Sequence, residues 1–348
     1  MFATRLKRGA ALGLAALALA VAGCGSDNGS TSSGGSSTSS SDTQKSIKVG
    51  LVTDIGGLND RSFNTLANKG LQDSIKQLGV QGRVLTSKSN ADYVPNLSTL
   101  AQQKYDLIIG VGFLMADAIN TVASKFPQTK FAIIDYSQAA LKSKPKNVEG
   151  LLFNESQPGF LVGYLAALYA KEKGFDTISS VGGQKIPPVD HYIAGYQAGA
   201  KKAFPGVKTL NDYSQSFTDQ AKCKELALNQ IGQGSKVVFQ VAGQCGLGAI
   251  DAAKEKGVNA IGVDADQAYL GAQVLTSALK RVDVSVFDTV KAVQDGTYQG
   301  GKDTLFDLKV DGVAIGKIAP EAQSLQPKVQ AIEKQLSDGS IKAPDTVK

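Results

Sequence analysis

From residue 47 onward the chain alternates short apolar runs with longer segments whose apolar residues fall three and four apart. The strand-like runs are Ile47–Val52, Arg83–Thr86, Leu107–Ile109, Phe131–Ile134, Gly150–Phe153, Ser179–Val181, Val237–Val241, Ile261–Val263 and Val274–Thr276. Between them lie helical patterns such as Ala67, Leu71, Ile75 and Leu78, closed by Gly79 as a C-cap. Alternation of this kind predicts an α/β fold of parallel sheets, with right-handed crossovers and helices on both faces. A hairpin-like stretch, Leu305–Lys317, and a late helix around Pro327–Leu336 complete the pattern, and the pattern leaves open which part of the fold they join.

In doubly wound sheets, ligands bind beyond the carboxyl ends of the strands. Asp54 follows the first strand, Gly110 and Gly112 the third, Asp135 the fourth, and Gly182 and Gly183 a later one, with Gly243 and Asp264 continuing the series. One strand ending in Gly or Asp is an ordinary turn. A run of them at the same end of successive strands points to a site.

The first two dozen residues follow a different pattern. Arg5, Lys7 and Arg8 precede an Ala/Leu run from Ala10 to Ala22, which is short for a permanent membrane span and suits an export signal. The run ends in Val21-Ala22-Gly23-Cys24, which resembles a bacterial lipobox with Cys24 as the lipidated first residue of the mature chain. Residues 25–45 are mostly Ser, Gly, Thr and Asp, the composition of a tether. The expected organisation is therefore a signal over 1–24, a tether over 25–45 and a body from 46. The expected site of action is the extracytoplasmic face of the cell membrane, held there by the lipid.

Composition narrows the function classes. The formal charge of +6 falls to +3 once Arg5, Lys7 and Arg8 are removed, and the rest is scattered without a basic block, so nucleic acid is a poor partner. The body carries one His, His191, and two of the chain's three Cys. That is too few for a zinc site, and any nucleophilic triad would depend on His191 alone, so an enzyme, a metal and a cofactor are not expected. His191 itself reads as a surface residue.

The segment Asp54-Ile55-Gly56-Gly57-Leu58-Asn59-Asp60-Arg61-Ser62-Phe63-Asn64 resembles the opening signature of the basic membrane lipoprotein family, substrate-binding proteins of ABC transporters typified by purine-nucleoside receptors. The resemblance continues through Gly159-Phe160-Leu161-Val162-Gly163-Tyr164, Val181-Gly182-Gly183, Pro187-Pro188-Val189, Gly262-Val263-Asp264-Ala265-Asp266-Gln267 and Leu275-Thr276-Ser277-Ala278-Leu279-Lys280. It implies a type I periplasmic-binding fold: two doubly wound lobes joined by three crossovers. The expected lobes are 46–156 plus about 278–310 and 157–277 plus about 311–348. The implied function is capture of a purine nucleoside (adenosine, guanosine or inosine) by a monomer that presents it to an ABC permease. Two rivals remain: the same fold holding a sugar or other small signalling ligand, and a sensory co-receptor.

A purine nucleoside offers two π-faces, a hydrogen-bonding edge and vicinal hydroxyls, so its pocket needs aromatics, carboxylates and amides. Phe63 opens the first helix at the cleft rim, either as a stacking platform or as a core residue of the helix start. The resemblance places the second aromatic at Tyr192, where the family usually has Phe. Asp135 ends a wholly apolar strand and either accepts from the base or caps a turn. Asn59 offers a donor and an acceptor to the same edge, or is a turn residue. Asp264 and Lys280 resemble family positions that grip the ribose, Asp54 joins them or orders the glycine loop, and Gly243 allows close backbone approach or simply turns the chain. Asp266 reads as a local cap. Finally, a helix antiparallel to the strand after it brings Cys223, near a helix start, beside Cys245, just past a strand end, and an oxidising compartment would join them in a disulfide.

Overall fold

The computed structural model describes residues 46–347, which form two α/β lobes. The signal, Cys24 and the tether lie outside the described residues. The chain enters the first lobe and lays down β1 (Lys48–Val52), α1 (Phe63–Leu78), β2 (Gln81–Leu85), α2 (Tyr93–Gln102), β3 (Leu107–Gly110), α3 (Ala116–Lys125), β4 (Lys130–Ile134) and β5 (Val148–Phe153). It crosses to the second lobe for α4 (Ser156–Lys173), β6 (Thr177–Gly182), α5 (Pro187–Ala203), β7 (Lys208–Tyr213), α6 (Gln220–Gly232), β8 (Val237–Val241), α7 (Gly243–Glu255), β9 (Asn259–Asp264) and β10 (Val274–Lys280). It then returns for α8 (Val282–Gln294) and β11 (Asp303–Phe306), and crosses a last time to β12 (Val313–Ile315) and α9 (Gln326–Ser337).

The first sheet has the order β11-β5-β4-β3-β1-β2 and the second β12-β10-β9-β8-β6-β7. All pairings are parallel except β10 with β12. The three crossings follow β5, β10 and β11, as expected of a type I binding fold. The stretch expected as a hairpin is not one: β11 joins the first sheet and β12 the second. β10 belongs to the second sheet as far as Lys280, so the chain returns to the first lobe only after that residue.

Alternation along each strand divides the first lobe's core. Val49, Leu51, Leu107, Ile109, Ala132 and Ile134 pack with Ala67 and Leu71 of α1 and Val286 and Val290 of α8. Val52, Ile108, Phe131 and Ile133 face the other way, against Leu97 and Leu100 of α2 and Ile119 and Val122 of α3. Strands covered on both faces carry nearly continuous apolar runs, which is why they were legible. In the second lobe, α4 and α5 pack together and so do α6 and α7. The α4–α5 pair is close because glycines face backbone: a Cβ at Gly159 or Gly163 would collide with the carbonyl of Tyr192 or Tyr196, and one at Gly195 or Gly199 with that of Ser156 or Phe160.

Candidate functional site

The carboxyl ends of β1, β3 and β4 in the first lobe and of β8, β9 and β10 in the second meet at one interlobe space. There lies a cavity lined by Asp54, Phe63, Gly112 and Asp135 from the first lobe and by Tyr192, Gly243, Asp264 and Lys280 from the second. About 80 Å³ is open to water centres, several times the 10–15 Å³ or so that one water needs. Asp135 and Asp264 end their strands with φ of 69° and 61°, the left-handed region that Asp tolerates better than most residues and that costs backbone energy. The turn directs each carboxylate into the gap instead of along the sheet.

Lys280 is the electrostatic centre. It is 2% exposed, with its ammonium 2.6 Å from Asp135 Oδ1 and 2.9 Å from Glu155 Oε1. The same ammonium lies 5.2 Å from the Phe63 ring centroid and 4.9 Å from that of Phe153. Burial alone would lower its pKa, but the carboxylates of Asp135, Glu155 and Asp264 outweigh burial and hold the charge. Two carboxylates thus share one lysine. Glu155 has a second partner, His191 Nδ1 at 3.2 Å, and despite its burial the lysine and histidine hold its pKa below the usual value. Asp135 has no such partner, so burial, opposed by Lys280 but reinforced by Glu155, pushes it up. His191 is therefore half-buried and paired, contrary to the surface position expected of it, because α5 packs against the crossing that carries Glu155. Burial opposes its protonation and Glu155 more than restores it.

Asp54 is 8% exposed. Its Oδ1 accepts from the hydroxyl of buried Tyr93 and from the Ile55 N–H, while Oδ2 accepts no protein hydrogen bond among the described residues. Burial raises its pKa to about 6, against the opposing pull of those two donors. A Cβ at Gly112 would sit 2.7 Å from Asp54 Oδ2 and 3.3 Å from Phe63, so only glycine leaves this wall open. Asp264 spans the lobes. Its Oδ2 accepts from Ser62 Oγ of the first lobe at 2.7 Å and its Oδ1 from Tyr192 OH of the second at 3.1 Å. Burial raises the pKa of Asp264, opposed by Lys280 and these two donors. Tyr192 is held edge-on to Phe239, with ring centroids 6.2 Å apart, and burial together with the neighbouring carboxylates keeps its hydroxyl protonated.

Seven of the eight ligand residues expected from sequence line this cavity, the exception being Asn59. Asn59 is exposed on a short 3-10 turn and faces a separate surface groove with Arg61 and Tyr269. Its neighbour Asp60 turns inward instead, and its carboxylate accepts from the N–H groups of Ser62, Asn64 and Thr65 at the start of α1. Asn64 was not anticipated. Its Oδ1 accepts from the Asp54 N–H at 2.9 Å and its side chain reaches the cavity. Glu155 was missed because nothing local marks it: it sits on the crossing and meets Lys280 only through the fold. Phe113 and Phe217 also line the cavity, each just after a strand end. Asp266 caps the local turn by accepting from the Ala268 N–H, and it also accepts from the N–H of Lys317, 51 residues on. Cys223 and Cys245 form a disulfide with Cα atoms 5.6 Å apart, tying the starts of α6 and α7 beside Gly243.

A family model described as ABC transporter substrate-binding protein PnrA-like matches residues 47–346. An uncharacterized lipoprotein of Pyrococcus horikoshii is 41% identical over 281 residues, covering 77% of this chain and 68% of its own length. The ABC transporter nucleoside-binding protein BmpA of Lactococcus lactis subsp. cremoris is 33% identical, covering 96% of this chain and 97% of that protein. The crystal structure of an ABC transporter solute-binding protein from Aeropyrum pernix superposes with a TM-score of 0.77 at 28% identity, covering 86% of this chain and 94% of that one.

Proposed function

The chain belongs to the family of PnrA-like ABC transporter substrate-binding proteins, and on that premise we propose that it captures a purine nucleoside between its lobes and delivers it to an ABC permease. The family is one of solute-binding proteins, so capture and release is its whole chemistry. The observation that carries the nucleoside reading is the pairing of acceptors with aromatics across the cavity. Phe63 comes from one lobe and Tyr192 from the other, and the unengaged Oδ2 of Asp54 lies in the same space. A base stacked on Phe63 gains about 1–3 kcal/mol. Its ring N–H or amino groups then donate to Asp54 or Asp135, and the ribose hydroxyls donate to Asp264. Lys280 is already committed to two carboxylates. A phosphate would therefore meet uncompensated negative charge, which favours nucleosides over nucleotides.

The relatives named as lipoproteins support an anchor at Cys24, which would hold the body as a monomer on the extracytoplasmic face. Among the described residues no helix is long and apolar enough to cross a membrane.

Thermal unfolding tests this reading. The chain is unfolded and refolded to remove any carried ligand, then heated with adenosine, guanosine, inosine, their monophosphates, pyrimidine nucleosides, ribose and free bases. A ligand at a hundred times its Kd adds about 2.7 kcal/mol and moves the midpoint by a few degrees. Purine nucleosides should do so and the monophosphates should not. A shift with ribose alone, or with nothing in the series, refutes the nucleoside assignment.

A further inference from the structure

We infer that the pole of the first lobe remote from the cavity is a docking face for an anionic lipid surface. In the first lobe all strands run parallel, so their amino ends gather at one pole and the ligand cavity at the other. Lys48 opens β1, Lys130 opens β4, and Lys302 immediately precedes β11. Lys104, Lys125 and Lys146 lie in the segments that lead into β3, β4 and β5. Asn147 binds these segments together, donating to the carbonyls of Ala123, Phe126 and Thr129.

Lys130 is half-exposed and the other five are exposed. None of the six is ion-paired among the described residues. Carboxylates also stand at this pole: Asp106 accepts from the Lys48 N–H, Asp303 from Ser137 and Gln138, and Asp295 at the end of α8 pairs with Lys291. In the second lobe, Lys208, Lys256 and Lys328 meet Asp176, Glu255 and Glu172, while Lys201, Lys202 and Lys236 are exposed without an ion pair among the described residues, so the entry point of the chain is what distinguishes the first lobe.

The second observation is where the chain enters. Ser46, directly before β1, donates from its hydroxyl to the Gly79 carbonyl at this same pole. Whatever precedes residue 46 therefore leaves the body among these lysines. If Cys24 is lipidated, a point taken from the proposed function, the anchor attaches on the side where unpaired ammonium groups stand. Phosphate headgroups of an anionic membrane complement that array, an attraction that reaches about 10 Å at moderate salt and strengthens roughly five-fold per lysine at the surface.

The test uses the mature chain carrying Cys24→Ser, so that no lipid contributes. It is co-sedimented with vesicles of phosphatidylcholine alone and of phosphatidylcholine mixed with phosphatidylglycerol. Binding should appear only with the anionic vesicles and disappear at high salt. Combining Lys104→Gln, Lys125→Gln, Lys146→Gln and Lys302→Gln should weaken it by more than about 100-fold. Lys171→Gln, Lys201→Gln and Lys202→Gln together, on the second lobe, should leave it unchanged. No binding to anionic vesicles, equal binding to both vesicles, or loss in the second-lobe variant instead of the first overturns the inference. Mass analysis of the Cys24 peptide and the nucleoside thermal shift are read separately, so failure of the anchor or of the ligand assignment is not mistaken for failure of this surface.

Discussion

Asp54 shows what one buried carboxyl does to the whole chain. Folding moves its pKa from 3.8 to about 6, chiefly by burial. The folded state therefore holds this proton more tightly than the unfolded state, and the stability that goes with it is fully present below about pH 3.8 and lost as pH rises through 6. In Asp54→Asn the amide oxygen can still accept from Tyr93 and Ile55, and no charge is buried. Without ligand, the variant should be more stable than its parent at pH 7 to 8 by up to about 3 kcal/mol, and the gap should close toward pH 4. Denaturant titrations across that range check this, and a variant that is less stable at pH 7 contradicts it. Asp54, Asp135 and Asp264 were legible because a carboxylate ending an apolar strand is conspicuous. Glu155 was not, since its partners Lys280 and His191 lie 125 and 36 residues away. Asn59 does not reach the cavity, because the turn after Gly57 exposes it and sends Asp60 inward.

At the scale of elements, α4 and α5 show how small residues set the second lobe. Their glycines let the two helix backbones touch, and Gly163 faces the Tyr196 carbonyl with no room for a methyl group. Gly163→Ala should cost about 3 kcal/mol or more, at the upper end for overpacking because backbone stands on both sides. Gly232, at the end of α6, has nothing within 4 Å of where a Cβ would stand, and Gly232→Ala should be neutral or stabilise by about 0.5–1 kcal/mol. Parallel denaturant curves separate the two, and similar effects at both sites would mean the helices are not in backbone contact. The strand that escaped notice and the two that were read as one hairpin share a cause. β7, β11 and β12 lie at sheet edges, where one side lacks a neighbour and polar residues such as Lys208, Asn211 and Asp303 are tolerated. Without a continuous apolar run, Leu305–Lys317 looked like one hairpin, and nothing local showed that its halves part to different sheets.

At the scale of the molecule, the lobes are closed on each other. Ser62 Oγ donates to the Val263 carbonyl at 3.1 Å as well as to Asp264, and Gln267 Nε2 donates to the Arg61 carbonyl at 3.2 Å. Arg61 holds a φ of 56° to make this approach, a strain of order 1 kcal/mol that the interlobe contacts must offset. Such contacts exist only in the closed form, so a ligand touching Phe63 on one side and Tyr192 and Asp264 on the other favours closure by its differential affinity. The two-lobe architecture could be read from strand–helix alternation and the resemblance together, but closure could not, because it depends on pairs more than 200 residues apart. The most direct test is calorimetric titration of the refolded chain with inosine, beside the same titration of Phe63→Ala. Binding at one site per chain, weakened roughly ten- to a hundred-fold in Phe63→Ala, is what a base stacked in this cavity predicts. No saturable binding to the parent, or binding undiminished in the variant, would contradict it.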